Sequence, residues 1–201
     1  MNIAIVTVWY NDPSIIRMIE SIPKEWPIII SYGLFTDSKA KEDLPLLNKV
    51  KEYSNVTIVY RNGLEVDIRN RYMEEMKGFD YCLMMDSDEF ITRYDETEFE
   101  ESITSLEHDL HMIRFTGDIV NGRFFVNPSQ WRYFKSHKFI TDGKVTRSIS
   151  KGGKTVDGIV LGYNEDMRPQ ELQDVINDYQ DKLWEYESDH NIDRLSKVLQ
   201  Q

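Results

Sequence analysis

In the first half of the chain, apolar residues come in short runs separated by stretches of helical spacing. Residues 2 to 9 (Asn-Ile-Ala-Ile-Val-Thr-Val-Trp) are nearly unbroken in β-branched and apolar character, the mark of a strand buried on both faces. Asp12 and Pro13 then signal a helix start, and Ile15, Ile16, Met18, Ile19 and Ile22 follow at helical spacing. The alternation repeats with a strand over 27–32, a helix over 39–53 carrying Leu44, Leu47 and Val50 on one side, and a strand over 56–60. A helix over 64–77 and a strand over 79–85 complete this half. Strands spaced by helices need crossover connections, so the pattern predicts an α/β fold with a mostly parallel central sheet flanked by helices.

Beyond a helix predicted over 95–108 the period shortens. Strand-like pieces near 110–116, 123–126, 131–134, 145–150 and 156–161 predict a more antiparallel C-terminal half. Leu172, Val175, Ile176, Tyr179, Leu183 and Trp184 then mark a helix over 169–188, with a short one over 192–199. No internal repeat or linker interrupts the 201 residues, which predicts one domain.

Composition narrows the class. At 40% hydrophobic and 12% aromatic residues the chain is too apolar to be disordered. No apolar run approaches the roughly 18 residues of a membrane helix. The sole cysteine, Cys82, lies inside an apolar run, which excludes an internal disulfide and favours a reduced, cytoplasmic location. A net charge of −11 disfavours loose adhesion to nucleic acid or anionic membrane. The charge is uneven, however: Arg132, Lys135, Lys138, Lys144, Arg147, Lys151 and Lys154 face one acid, Asp142, between Trp131 and Val156. That segment reads either as a solvated charge run or as a docking face for a phosphate-bearing acceptor.

Chemistry concentrates in Met85-Asp86-Ser87-Asp88-Glu89, where the apolar run of the fourth predicted strand stops abruptly. Two carboxylates two residues apart, on a segment leaving the carboxyl end of a strand, can turn to one hard cation such as Mg2+ or Mn2+. The alternative is a solvated acidic turn. His108, His111, His137 and His190 are scattered without zinc-like spacing.

Several stretches together carry a resemblance. Ile5-Val6-Thr7-Val8-Trp9-Tyr10-Asn11, then Val66-Asp67-Ile68-Arg69-Asn70-Arg71-Tyr72, then Gly78-Phe79-Asp80-Tyr81 leading into Asp86-Ser87-Asp88, resemble glycosyltransferases of the family 2 type with the GT-A fold. The resemblance covers about the first 95 residues. It implies a nucleotide-sugar-binding half over 1–95 and an acceptor half with C-terminal helices over 96–201. It also implies that Thr7, Trp9 and Asn11 lie near the nucleotide, Arg69 and Asn70 near the diphosphate or sugar, Asp86 at ribose or metal, and Asp88 on the metal. The activity implied is transfer of a hexose or pentose from a nucleotide-diphosphate donor to an acceptor hydroxyl, assisted by Mn2+ or Mg2+. The acceptor class stays open among glycan, lipid-linked sugar, protein and modified DNA.

Three departures bear on that picture. The acid that commonly reads the base after the second strand is replaced by Ser31-Tyr32-Gly33-Leu34-Phe35-Thr36-Asp37, leaving Asp37 as the candidate. No histidine falls between 138 and 189 to complete a metal shell, so either Asn164, Glu165 or water does so or the metal is bound weakly. Arg147-Ser148-Ile149-Ser150-Lys151 and Leu161-Gly162-Tyr163-Asn164-Glu165-Asp166 resemble the family's returning acceptor-side segment more loosely. There Glu165 and Asp166 are the candidates for the base that deprotonates the acceptor, with Asp118 in reserve. The same pair would also favour the start of the following helix through its dipole.

Two other classes are weighed. A haloacid-dehalogenase-like phosphatase also uses Asp-x-Asp after a buried strand, but its motif sits near the N-terminus with Thr or Val where Phe90 stands here. An EF-hand fails because Phe90 and Ile91 occupy a ligand position and the obligatory glycine. The remaining alternative is a protein that binds a sugar nucleotide without turning it over.

Overall fold

A computed structural model of the chain describes residues 2–33, 43–61, 65–104, 110–115, 118–126, 132–135, 138–141, 144–146, 155–164, 170 and 173–174. The predicted first half is present: β1 (Ile3–Trp9), α1 (Ile15–Ser21), β2 (Ile28–Tyr32), α2 (Leu44–Lys51), β3 (Val56–Tyr60), α3 (Glu65–Glu74) and β4 (Tyr81–Met84). The second half contains β5 (Glu89–Tyr94), α4 (Glu96–Thr104), β6 (Leu110–Phe115), β7 (Asp118–Val126) and β8 (Arg132–Lys135). It continues with β9 (Lys138–Thr141), β10 (Lys144–Thr146) and β11 (Thr155–Tyr163). Of the two helices predicted at the C-terminal end, the described residues are Gln170, Gln173 and Asp174, all helical; the rest lie outside the described residues.

Eight strands make one sheet in the order β3-β2-β1-β4-β7-β6-β11-β5, and β10-β9-β8 form a separate antiparallel sheet. The pairs β3/β2, β2/β1 and β1/β4 are parallel, as three helical crossovers demand. From β4 onward the sheet turns mixed: β4/β7, β7/β6 and β11/β5 are antiparallel, whereas β6/β11 is parallel. The sequence pattern leaves out β9 and also strand β5. It follows the acidic motif at once and lies at the sheet edge, half-exposed for most of its length, so no apolar run announces it.

The pleat divides the core into two layers. Ile3, Ile5 and Trp9 of β1 pack with Ile15, Met18 and Ile19 of α1, Leu47 and Val50 of α2, and Phe99 and Ile103 of α4. Ala4 and Val6 face the other way, against Tyr72 and Met73 of α3 and the following Met76. A strand alternating between two apolar faces must be apolar throughout, which is why β1 reads as an unbroken run.

Cys82 belongs to the second layer and is fully buried, and burial pushes its thiol well above the ordinary range. The native protein is therefore expected to leave a thiol reagent such as DTNB unreacted, with one equivalent titrating only after denaturant is added. Rapid labelling of the folded chain would contradict this packing.

Helix starts are fixed by short acidic side chains. The Asp43 carboxylate accepts from the Leu46 amide at 3.0 Å, and the Asp95 carboxylate accepts from the Glu98 amide at 3.0 Å. At α1 the same work falls to Asp12, whose Oδ1 accepts from the Ser14 amide at 2.9 Å.

Candidate functional site

The carboxyl ends of β1, β2 and β4 converge, as expected for a ligand site in a sheet of this kind. Strand β4 stops where Met85 donates its amide to the Val6 carbonyl at 3.0 Å, and the chain then turns through Asp86, Ser87 and Asp88 into β5. Within that turn the Glu89 amide donates to the Asp86 carbonyl at 3.1 Å, while the Asp86 amide donates to Glu89 Oε2 at 2.9 Å. These reciprocal bonds close the loop on itself. Glu89 is 3% exposed, so its carboxylate sits beneath the loop rather than in solvent.

One carboxylate oxygen each from Asp86, Asp88 and Glu89 lies within 4.8 Å of the other two. Oxygen donors at such separations suit a hard divalent cation, whose ligands sit about 2.0–2.6 Å from the ion. The donor set is oxygen only, which fits Mg2+ or Mn2+ better than a metal seeking nitrogen or sulfur. Arg69 of α3 approaches the cluster, its Nη2 lying 3.5 Å from Asp86 Oδ1. A guanidinium here offsets part of the repulsion among three carboxylates and offers donors to a phosphate. Asn70, its neighbour on α3, is half-buried.

The β1 end meets this loop through Asp12, whose Oδ2 accepts from the Ser87 hydroxyl at 3.0 Å. Asn11 has a positive φ of 52°, unusual for a residue with a side chain, and is 8% exposed. Its Oδ1 accepts from the Tyr32 hydroxyl at 3.1 Å and from the Asp43 amide at 2.9 Å, which ties the ends of β1 and β2 to the start of α2. Thr7 is fully buried and donates its hydroxyl to the Val8 carbonyl at 3.2 Å. Trp9 is 1% exposed, and its indole N–H donates to the Asp12 carbonyl at 2.8 Å. Thr7 and Trp9 thus sit in the core, where they hold the turn.

Aromatic rings extend this edge. Tyr32 lies 5.0 Å from Trp9, 5.1 Å from Tyr10 and 5.7 Å from Tyr60 between ring centroids, and Tyr60 is about half exposed. On the far side, the Asn164 amide donates to the Asp88 carbonyl at 2.8 Å, bringing the end of β11 to the acidic loop. Asn164 Oδ1 accepts from Arg17, whose guanidinium carbon lies 3.5 Å above the Phe90 ring. The Asn164 side-chain oxygen is therefore engaged by a cation.

The structure thus brings together Arg69, Asp86 and Asp88, while Asn11 is tied to Tyr32 and Asp43 and is next in sequence to Asp12, which reaches Ser87. Asp37, Glu165 and Asp166 lie outside the described residues. Asp118 begins β7. Of the basic segment, Arg132, Lys135, Lys138 and Lys144 fall in the three-stranded sheet. Sequence reasoning placed Glu89 in the motif without a role, and read Asp12 only as a helix start. A carboxylate three residues after Asp86, able to close the turn, was the available signal for Glu89; Asp12 gave none, because its partner is 75 residues away.

A cavity of about 830 Å³ opens elsewhere, at the amino ends of β1 and β4, among Asn2, Asp80, Trp26, Tyr94 and the acids of α4. Burial first, then Glu96, Glu25 and Glu100, push the Tyr94 hydroxyl above its ordinary value. The size of this cavity does not make it the site, since the convergent carboxylate oxygens of Asp86, Asp88 and Glu89, with Arg69, are at the opposite ends of these strands.

No protein-family model matches the chain, and no curated protein matches it. Among solved structures, the fold is similar to that of GalNAc-T7 with UDP, GalNAc and Mn2+, at a TM-score of 0.50 and 9% identity over 83% of this chain and 44% of that one. It also matches S. aureus TarS 1-349 at a TM-score of 0.46 and 20% identity, over 61% of this chain and 38% of that one. The same TarS piece in complex with UDP-GlcNAc matches at 0.45 and 19%, over 61% and 36%. The chain spans less than half the length of each of these. They are glycosyltransferases of the GT-A type, and at such identities the likeness is one of fold.

Proposed function

We propose that the chain is a metal-dependent glycosyltransferase that moves a sugar from a nucleotide-diphosphate donor to an acceptor hydroxyl with inversion. The observation that carries this reading is the gathering of Asp86, Asp88 and Glu89 oxygens at the carboxyl end of β4, beside Arg69. Asp86 and Asp88 would hold Mn2+ or Mg2+, with Glu89 fixing the loop from below. When bound, such an ion neutralises charge on the departing diphosphate.

The chain's own residues supply the rest. Arg69 and Asn70 hold the diphosphate, and the Asn11 turn takes the nucleoside against the β1 edge, with Asp37 the candidate for reading the base. Glu165 or Asp166 takes the acceptor proton as that oxygen bonds to the anomeric carbon. The bond from the anomeric carbon to the diphosphate breaks in the same step, and the nucleoside diphosphate leaves with the electron pair. Among the described residues no helix is long and apolar enough to cross a membrane. A buried, reduced Cys82 suits the cytoplasm as the place of action. The acceptor is a glycan, a lipid-linked sugar, a protein or a modified base in DNA.

The test is a thermal-shift screen of nucleotide sugars with Mn2+, beginning with UDP sugars because the fold is shared with a protein solved with UDP and Mn2+. A donor at a hundred times its dissociation constant stabilises the fold by about 2.7 kcal/mol. In a chain of this length that is a rise of roughly 5 to 10 °C in Tm. The rise should vanish when EDTA replaces the metal. Stabilisation without donor hydrolysis or transfer would mark a binding protein, and no shift with any nucleotide sugar would overturn the proposal.

A further inference from the structure

Asp12 is a buried carboxylate that the proposed chemistry does not use. It is 3% exposed and is held at both ends. Its carbonyl accepts from the Trp9 indole N–H at 2.8 Å and from the Ile15 amide at 3.3 Å, which roots it in the β1 to α1 turn. Its Oδ1 accepts from the Ser14 amide at 2.9 Å. Its Oδ2 accepts from the Ser87 hydroxyl at 3.0 Å, across 75 residues of sequence.

Ser87 is the residue between Asp86 and Asp88. An ionised carboxylate only accepts, and a serine hydroxyl has a single proton to donate, so this charge-assisted bond fixes both partners' directions. Its effect is to pull the middle of the acidic loop toward the β1 turn. From below, the Glu89 carboxylate holds the Asp86 amide at 2.9 Å. From beyond, the Asn164 amide holds the Asp88 carbonyl at 2.8 Å. Three repelling carboxylates would otherwise splay the loop in the absence of an ion, and the Asp12 bond is the restraint that acts on its centre. Asp12 itself is not among the carboxylates that gather within ligand distance of one another.

We infer that Asp12 is a positioning residue that holds Ser87 and thereby sets the spacing of the Asp86 and Asp88 carboxylates for a divalent cation. The inference rests on the metal-loop reading above. It concerns a residue outside the acidic motif, and it makes the β1 turn, which borders the nucleotide edge, part of the cation site. An ion drawing Asp86 and Asp88 together would stiffen the β1 turn through the same bond.

The experiment measures Mn2+ dissociation constants directly, from free Mn2+ in electron paramagnetic resonance titrations, for the whole chain without donor. Ser87→Ala removes only the hydroxyl and leaves the Ser14 amide bond of Asp12 in place. It should weaken Mn2+ binding about tenfold, the usual size of an effect on residues that orient metal ligands, with far-ultraviolet circular dichroism unchanged. Asp12→Ala should weaken binding to a similar extent, and the double variant should be no weaker than either single one, since one bond is lost in all three. Ser87→Thr, which keeps a hydroxyl, should bind as the wild type does. Asp12→Ala also loses the Ser14 contact and lowers Tm, so Ser87→Ala decides the matter if Asp12→Ala misfolds. Should Ser87→Ala bind Mn2+ like the wild type while Asp88→Ala does not, the positioning role is overturned and the metal loop stands. Two effects that multiply in the double variant would overturn it as well. Should the wild type take up no Mn2+, or Asp88→Ala bind as well as the wild type, the metal-loop reading itself fails and this inference falls with it.

Discussion

Asp88→Ala is expected to reduce donor turnover about a thousandfold, the effect of removing roughly 4 kcal/mol of charge stabilisation from the departing diphosphate. The backbone contributions of Asp88 survive the substitution. Its carbonyl still accepts from Asn164, so the end of β11 stays attached to the loop. The loop also keeps its closure between Asp86 and Glu89. With one of three crowded carboxylates gone, repulsion in the ion-free protein falls, and Tm should be unchanged or higher. Asp86→Ala is less easily read, since it also strips Arg69 of a partner 3.5 Å away. The measurement is kcat and KM for donor hydrolysis over a Mn2+ titration, with a melting curve for each variant. Activity within tenfold of wild type, at any Mn2+ concentration, would remove Asp88 from the reaction.

Gly158→Ala should lower stability by about 3 kcal/mol, the large end of the range for single substitutions, with Tm falling by roughly 6 to 12 °C. Two causes add. Gly158 has a φ of +80°, where an L side chain costs about 1–2 kcal/mol. A Cβ there would also lie 2.3 Å from the Phe99 amide nitrogen and 2.7 Å from both the Phe99 Cα and the Asp95 carbonyl oxygen. These are backbone atoms at the start of α4, held by the Asp95 amide donating to the Gly158 carbonyl at 2.7 Å, and they cannot swing aside. Gly78 provides the control. Its φ is +95° but a Cβ would meet nothing within 4 Å, so Gly78→Ala should cost only the conformational part. Equal losses from the two substitutions, measured by urea denaturation, would contradict the close approach of α4 to β11.

The two halves of the chain differed in how much they disclosed. The parallel strands β1, β2 and β4 were legible because a strand covered on both faces has no polar alternation to confuse with helix, as in Ile3 to Val6 and Tyr81 to Met84. Strand β5 was not, because Thr92 and Arg93 face solvent and its partner β11 is some seventy residues away. The parallel pairing of β6 with β11 was equally hidden, since register between distant segments leaves no local mark. At the site, Asp86 and Asp88 stood out by interrupting an apolar run. Family likeness set Trp9 and Thr7 near the nucleotide without saying which way their side chains point; both pack inward, a choice made by the neighbouring layers rather than by β1 alone.

The left-handed turn at Asn11 has a consequence for how this edge of the molecule meets a ligand. Because one amide oxygen anchors a phenol on β2 and the first backbone nitrogen of α2's cap, three separate crossings of the chain behave as a single stiff lip. A ligand taken up at the proposed nucleotide edge would meet these ties already made, so little ordering entropy would be lost on arrival. Glycine would keep the dihedral yet sever those ties, trading a fixed lip for three independent ones.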